Sequence, residues 1–263
     1  MAEQPTSHRL FIGTTALLFV ITSALTVVLC RSMSAMGSMQ MPGGWTMSMA
    51  WMRMPGQSWY GAAASFTGMW IVMMAAMMLP SLVPMLCRYR RSVERTSKIP
   101  LDLLTAVAGI GYFLIWTMWG IAIFPLGAAL AELEMDMPAL ARTVPAAIAG
   151  IVLIAGAVQF SGWKLRNLAC CRQTPGHGSV LPGNASTALK HGFCLGLHCS
   201  LSCANLTIIL LVAGVMDLRT MVLVTVAISA ERLTSEGERI AWMIGIGLIG
   251  TGLFLVMRAL AFR

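Results

Sequence analysis

The chain has 263 residues, 57% of them hydrophobic and 11% charged, with a mean hydropathy of +0.78. Soluble domains carry about 25% charged residues, so this composition excludes an ordinary soluble globule and predicts an integral membrane protein with the lipid bilayer as solvent. The net charge of +8 would suggest nucleic acid in a soluble protein; here the basic residues cluster at the ends of apolar segments, where they set orientation, and nucleic acid is set aside as a partner.

Seven apolar segments follow in order, at about 10–30, 63–87, 101–125, 143–163, 192–214, 217–233 and 239–260. Each approaches the ~20 residues that cross ~30 Å of hydrocarbon, except the sixth. That one ends in Ala230-Glu231-Arg232 and reads as a short or tilted span. The first, Leu10 to Cys30, is longer than the ~7–15 residues of a cleavable signal core and reads as a retained span. The predicted fold is an all-α polytopic transmembrane helical bundle of six to seven spans, one membrane domain over residues 1–263. Its two notable connections are a Met-rich loop at about 31–60 and a Cys/His loop at about 164–190.

Orientation follows from the basic residues. CRYRRSVERTSK after the second segment packs Arg88, Arg90, Arg91, Arg95 and Lys98 together, and such a cluster beside a span stays in the cytoplasm. Alternation then adds Arg9, Lys164, Arg166, Arg172, Lys190, Arg232 and Arg239 to that side, twelve of the eighteen Lys and Arg. The N-terminus is therefore expected inside and the Met-rich loop outside, as in a multi-pass protein of a bacterial inner membrane. A C-terminus outside depends on the sixth segment crossing fully.

The Met-rich loop, MSAMGSMQMPGGWTMSMAWMRM, places Met33, Met36, Met39, Met41, Met47, Met49, Met52 and Met54 within twenty-two positions, with Pro42-Gly43-Gly44 as a turn between its halves. Facing an oxidising compartment, thiols would risk oxidation. A thioether has no proton to lose and is a soft ligand best matched to Cu(I). The competing reading is an adaptable apolar surface at the bilayer interface, with Trp45 and Trp51 as belt residues. In the second segment, WIVMMAAMMLPSLVPML continues the sulfur theme. Met69, Met73 and Met77 recur at i, i+4, i+8 on one helix face, with Met74 and Met78 beside them, and the stripe runs down to Pro80 and Pro84. Its alternative is ordinary helix packing. The second outer connection, ALAELEMDMPAL, is acidic and carries a further Met-x-Met pair.

The fifth segment opens with KHGFCLGLHCSLSC. His191, Cys194 and His198 recur at i, i+3, i+7 on one face, and Cys199 and Cys203 lie on the adjoining face. Imidazole and thiolate together suit copper, zinc or iron, and ionisable groups inside a span are costly and usually functional. Gly192 and Gly196 permit close approach of a neighbouring helix. Just upstream, NLACCRQTPGHG supplies Cys170, Cys171 and His177, which can complete a site begun on the fifth segment. Cys30 and Cys87 read as structural, and the odd total of seven cysteines argues against a disulfide scaffold. No paired carboxylates, nucleotide loop or Ser-His-Asp context points to catalysis, and Glu231 is the only acid expected within a span.

The blocks WIVMMAAMMLPSLVPML, GAVQFSGWKLRNLACCRQTPG, ALKHGFCLGLHCSLSC, LLVAGVMDLRTM and AERL, in that order over about residues 60–260, resemble a bacterial family of integral membrane proteins predicted to bind metal. The family groups its cysteines tightly after the His-Gly of the fifth span. This sequence matches His191, Gly192, Cys194 and Gly196, and has Leu197-His198, then Cys199 and Cys203, where a Cys-Cys pair is common. Residues and resemblance together predict a membrane protein that binds a soft transition metal, copper first and zinc or iron as alternatives, for uptake, transfer or delivery to another membrane protein or metallochaperone. The rival functions are a membrane thiol or metal redox protein and a non-catalytic accessory subunit.

Overall fold

The computed structural model describes residues 5–35, 37, 39–54, 56–94, 97, 99–172 and 182–261. Its elements are α1 (Pro5–Ala35), strands β1 (Met39–Met41) and β2 (Trp45–Met47), a 3-10 turn (Met49–Trp51), α2 (Trp59–Val93), α3 (Leu101–Asp136), α4 (Pro138–Ala141), α5 (Val144–Val158), α6 (Gly162–Arg172), α7 (Ala185–Ala213), α8 (Leu218–Leu233) and α9 (Gly237–Ala261). The fold is an all-α bundle carrying one short hairpin.

Among the described residues, five helices are long and apolar enough to cross a membrane: α1, α2, α3, α7 and α9. The pair α5 and α6, bent by 64° at the intervening break, makes a sixth if taken as one span. The segment at 217–233 forms α8, whose 16 residues fall short of the ~20 a span needs. Large apolar side chains stand exposed along the outer faces of α1, α3, α8 and α9, among them Leu17, Ile121, Leu223 and Phe254.

Several helices overrun the lengths expected from hydropathy. The basic CRYRRSV stretch continues α2, and Arg90 and Arg91 occupy its last turn, where cations complement the negative helix end. ALAELEMD, expected as an outer connection, extends α3 to Asp136 because its Ala, Leu, Glu and Met are strong helix formers.

The Met-rich segment also differs from a structureless loop. β1 and β2 pair antiparallel with Met39 opposite Met47 and Met41 opposite Trp45. Gly44 N–H donates to Met41 C=O across Pro42-Gly43, and Gly43 at φ 105° takes the positive φ that a type II turn requires at its third position. One face of this hairpin rests on the bundle: Met41 and Met47 are buried against Ala131 and Ala141, and Trp45 Nε1 donates to Ala141 C=O at 2.9 Å.

The centre of the bundle is set by the α3–α7 crossing. A Cβ on Gly192 would overlap the Ala108 backbone carbonyl, and one on Gly111 would meet the α7 backbone at Leu189 and Phe193. Backbone cannot yield to such an overlap, so small residues fix how closely these helices pass. At the end away from the hairpin, buried Arg90 ties three helices together. Its guanidinium donates to Asp102 at 2.7 Å, Thr105 at 3.2 Å and Ser7 Oγ at 2.7 Å.

Candidate functional site

The shortness of α8 decides where its charges lie. Asp217 caps its first turn, and the last turn carries Glu231-Arg232 inside the bundle, 2% and 5% exposed. The sequence reading puts Arg232 and Lys164 among the cytoplasmic basic residues; both are buried, Arg232 near the end of α8 and Lys164 just after the α5–α6 bend. Removing these two leaves ten basic residues expected inside against six outside, so the asymmetry keeps its sign.

Arg232 grips the middle of α7. Nη1 donates to Cys199 Sγ at 2.8 Å, and Nη2 donates to Cys199 C=O at 2.8 Å and Ser202 Oγ at 2.7 Å. Ser81 of α2 stands 3.4 Å from Nη1. From the other side the Tyr112 hydroxyl lies 2.7 Å from Cys199 Sγ. Tyr112 reaches it because Gly196, one turn before Cys199, lets α7 close on the Tyr112 backbone carbonyl. A guanidinium can only donate, so Cys199 Sγ is its acceptor. A sulfur receiving a cationic donor is placed to carry negative charge, and the thiolate is the form that binds soft metals. Cys203, one turn on, is equally buried, and its thiol donates to Cys199 C=O at 3.0 Å.

Glu231 turns the opposite way. It accepts from Lys164 Nζ at 2.8 Å and from Gln159 Nε2 at 2.9 Å, residues flanking the α5–α6 break. Lys164 also donates to Ser202 C=O, and Asn205 Nδ2 donates to Ala155 C=O at 3.1 Å. A buried ion pair needs such extra hydrogen bonds to offset desolvation. This one pins the break in the fourth apolar segment against α7 and α8.

The methionine stripe leads towards this point. Met73, Met74, Met77 and Met78 are all buried in one core cluster with Trp70, Cys199 and Cys203, and Ser81 follows one turn below Met77. Met69 packs on its edge.

The other candidate ligands named from sequence are not members of this cluster, although His191 packs on one that is. His191 stacks on Tyr89 with ring centres 4.9 Å apart, and His198 Nδ1 is 3.3 Å from Asn167 Oδ1. Cys194 and Cys170 are exposed. Met33, Met49, Met52 and Met54 are half-buried and Met39 is exposed. Met36, His177 and the Cys171 side chain lie outside the described residues. Among the described residues, no three His, Cys, Asp or Glu side chains group to hold one ion.

Tyr112, Lys164 and Arg232 escaped sequence reasoning. The usable signal was an adjacent Glu-Arg pair closing an apolar run too short to reach the surface.

No curated protein and no solved structure matches the chain. A family model described as PpoB2, copper chaperone, matches residues 67–255, from the top of the methionine stripe through Arg232 to most of α9, leaving the Met hairpin and Cys30 outside. That match spans well over half of the 263 residues, and the chain belongs to this copper chaperone family.

Proposed function

We propose that the protein is a multi-pass protein of a bacterial inner membrane that takes up Cu(I) and hands it to a partner. The carrying observation is that the buried methionines of α2 share one core cluster with Cys199, whose sulfur is held by Arg232 and Tyr112. Family membership supports copper as the cargo. Exposed apolar side chains on four helices support a lipid surround, since monomeric soluble proteins rarely expose such contiguous area.

In this reading the hairpin and half-buried methionines collect the ion, the stripe passes it inward, and Cys199 with Cys203 holds it. Thioethers exchange Cu(I) without proton release. Delivery falls to the far side of α7. Lys164 meets Ser202 and Asn167 meets His198, so α6 runs antiparallel to α7. Continuing that register brings Cys170 towards Cys194, both exposed, and with His191 and His198 they form the proposed hand-off surface for a partner.

The test is copper bound per protein after reconstitution with Cu(I). Cys199→Ser and a Met73→Leu/Met77→Leu pair are expected to lower occupancy sharply. Cys194→Ser is expected to keep the ion and slow its transfer to a chelator. Full occupancy in the Cys199→Ser and Met→Leu variants would refute the column.

A second reading, thiol redox chemistry, draws on the same guanidinium at Cys199. Titration of thiols against a redox buffer, with no copper dependence, would favour it.

A further inference from the structure

At the hairpin end of the bundle, three sulfurs meet that the column above does not use. Cys30 lies near the end of α1, Met216 in the turn between α7 and α8, and Met221 in the first turns of α8. Cys30 Sγ is 3.8 Å from Met216 Sδ and 4.0 Å from Met221 Sδ. Cys30 and Met221 are buried, 1% and 3% exposed, and Met216 is half-buried at the rim.

We propose that Cys30, Met216 and Met221 form a separate three-coordinate Cu(I) site at the hairpin end. The proposal rests on the copper reading of the protein and adds a second, independent station to it.

The separations carry the argument. Metal–thiolate bonds run about 2.3 Å, so an ion centred among three sulfurs holds them about √3 times that, roughly 4.0 Å apart. The two distances from Cys30, 3.8 and 4.0 Å, match two edges of that triangle. They are far beyond the ~2.05 Å of a sulfur–sulfur bond, so the cluster is a ligand set of separate side chains. One thiol and two thioethers, from three separate chain segments, make a donor set that selects Cu(I) over Zn(II). Binding releases the Cys30 thiol proton to water and moves no electron, and thiolate plus Cu(I) is neutral, as burial demands.

The hard ligand nearest in sequence is engaged elsewhere. Asp217 spends its carboxylate on the first turn of α8, accepting from Arg219 N–H at 3.3 Å and Thr220 N–H at 3.1 Å. Met33, one turn beyond Cys30 on α1, continues the sulfur face towards the hairpin.

The experiment uses full-length protein in lipid nanodiscs, stripped of metal and titrated with Cu(I) against a chromophoric competitor. The variants are Cys30→Ser and Met216→Leu/Met221→Leu, which keeps apolar volume, with thermal unfolding to confirm that each folds. Each is expected to bind one equivalent of Cu(I) fewer than wild type, and the wild-type copper absorption edge should show three-sulfur ligation. If both variants hold as much as wild type while Cys199→Ser loses an ion, the proposal is overturned and the copper column stands. Wild-type protein that binds no Cu(I) overturns both. A loss confined to Cys30→Ser and the Met pair, with Cys199→Ser unaffected, upholds this site and removes the other.

Discussion

A guanidinium on a buried thiol is a demanding arrangement, and the chain holds it with five hydrogen-bonding groups from four helices. Arg232 needs its planar fork because one terminal nitrogen serves Cys199 Sγ while the other serves Cys199 C=O and Ser202. A lysine keeps the charge and loses the fork. Arg232→Lys should therefore fold, keep Lys164–Glu231 intact, and bind Cu(I) more weakly by about 10–100-fold, the usual cost of disturbing a group that orients a metal ligand. Competition titration measures it directly; an unchanged affinity would reduce Arg232 to a helix staple. The sequence puts His191, Cys194 and His198 on one face by spacing alone, with Cys199 and Cys203 on the adjoining one. Spacing cannot say which face is buried. That depends on Gly192, Gly196 and Gly111 drawing α3 onto the other side of α7, a pairing visible only once the helices are in contact.

Among the elements, α8 has the most influence for its length. Its start carries Met221 and its end carries Glu231-Arg232, so its register fixes both sulfur sites. Burial pushes the Asp217 carboxyl up, but hydrogen bonds from the Thr220 hydroxyl and the Thr220 and Arg219 amides outweigh it, and the net shift is below the usual carboxylate range. A carboxylate lowered on folding stabilises the native state above the unfolded value of about 3.9, and that contribution is lost as pH falls through the lower folded value. Asp217→Ala should cost about 1 kcal/mol of stability at neutral pH, as loss of a helix N-cap does, and the difference from wild type should shrink below about pH 4. Thermal unfolding at pH 7 and pH 3.5 checks both halves; an equal difference at the two values would assign the effect to something other than the ionised cap. Helices were the most legible feature of the sequence, since all seven apolar segments are helical. Their ends were less so: hydropathy marks where lipid stops, whereas helix formers such as ALAELEMD carry α3 beyond it.

At the scale of the molecule, the two proposed sulfur sites would give the bundle a direction, and that direction depends on which end faces out. The hairpin end gathers β1, β2, α4, the α7–α8 turn and the Cys30 cluster. The opposite end gathers Arg90 with Ser7 and Asp102, where α1 begins, α2 ends and α3 begins. Contacts between α5 and α9 run antiparallel, with Gly245 beside Gln159, Gly156 beside Ile249 and Gly252 beside Leu153. The end of α9 therefore points the same way as the start of α5, next to α4 and the hairpin. The ten basic residues the sequence expects inside, against six outside, favour the Arg90 end as cytoplasmic. Thr46, exposed on the hairpin face that does not contact the bundle, is a clean reporter of this. In a cysteine-depleted background, Thr46→Cys should react with a membrane-impermeant maleimide in intact cells, whereas Arg91→Cys, exposed on the last turn of α2, should react only after permeabilisation. The reverse pattern would turn copper collection into copper export, because the soft thioethers of the hairpin would then face the reducing cytoplasm and Cys170 and Cys194 the oxidising side, where exposed thiols are poorly suited to hand on Cu(I).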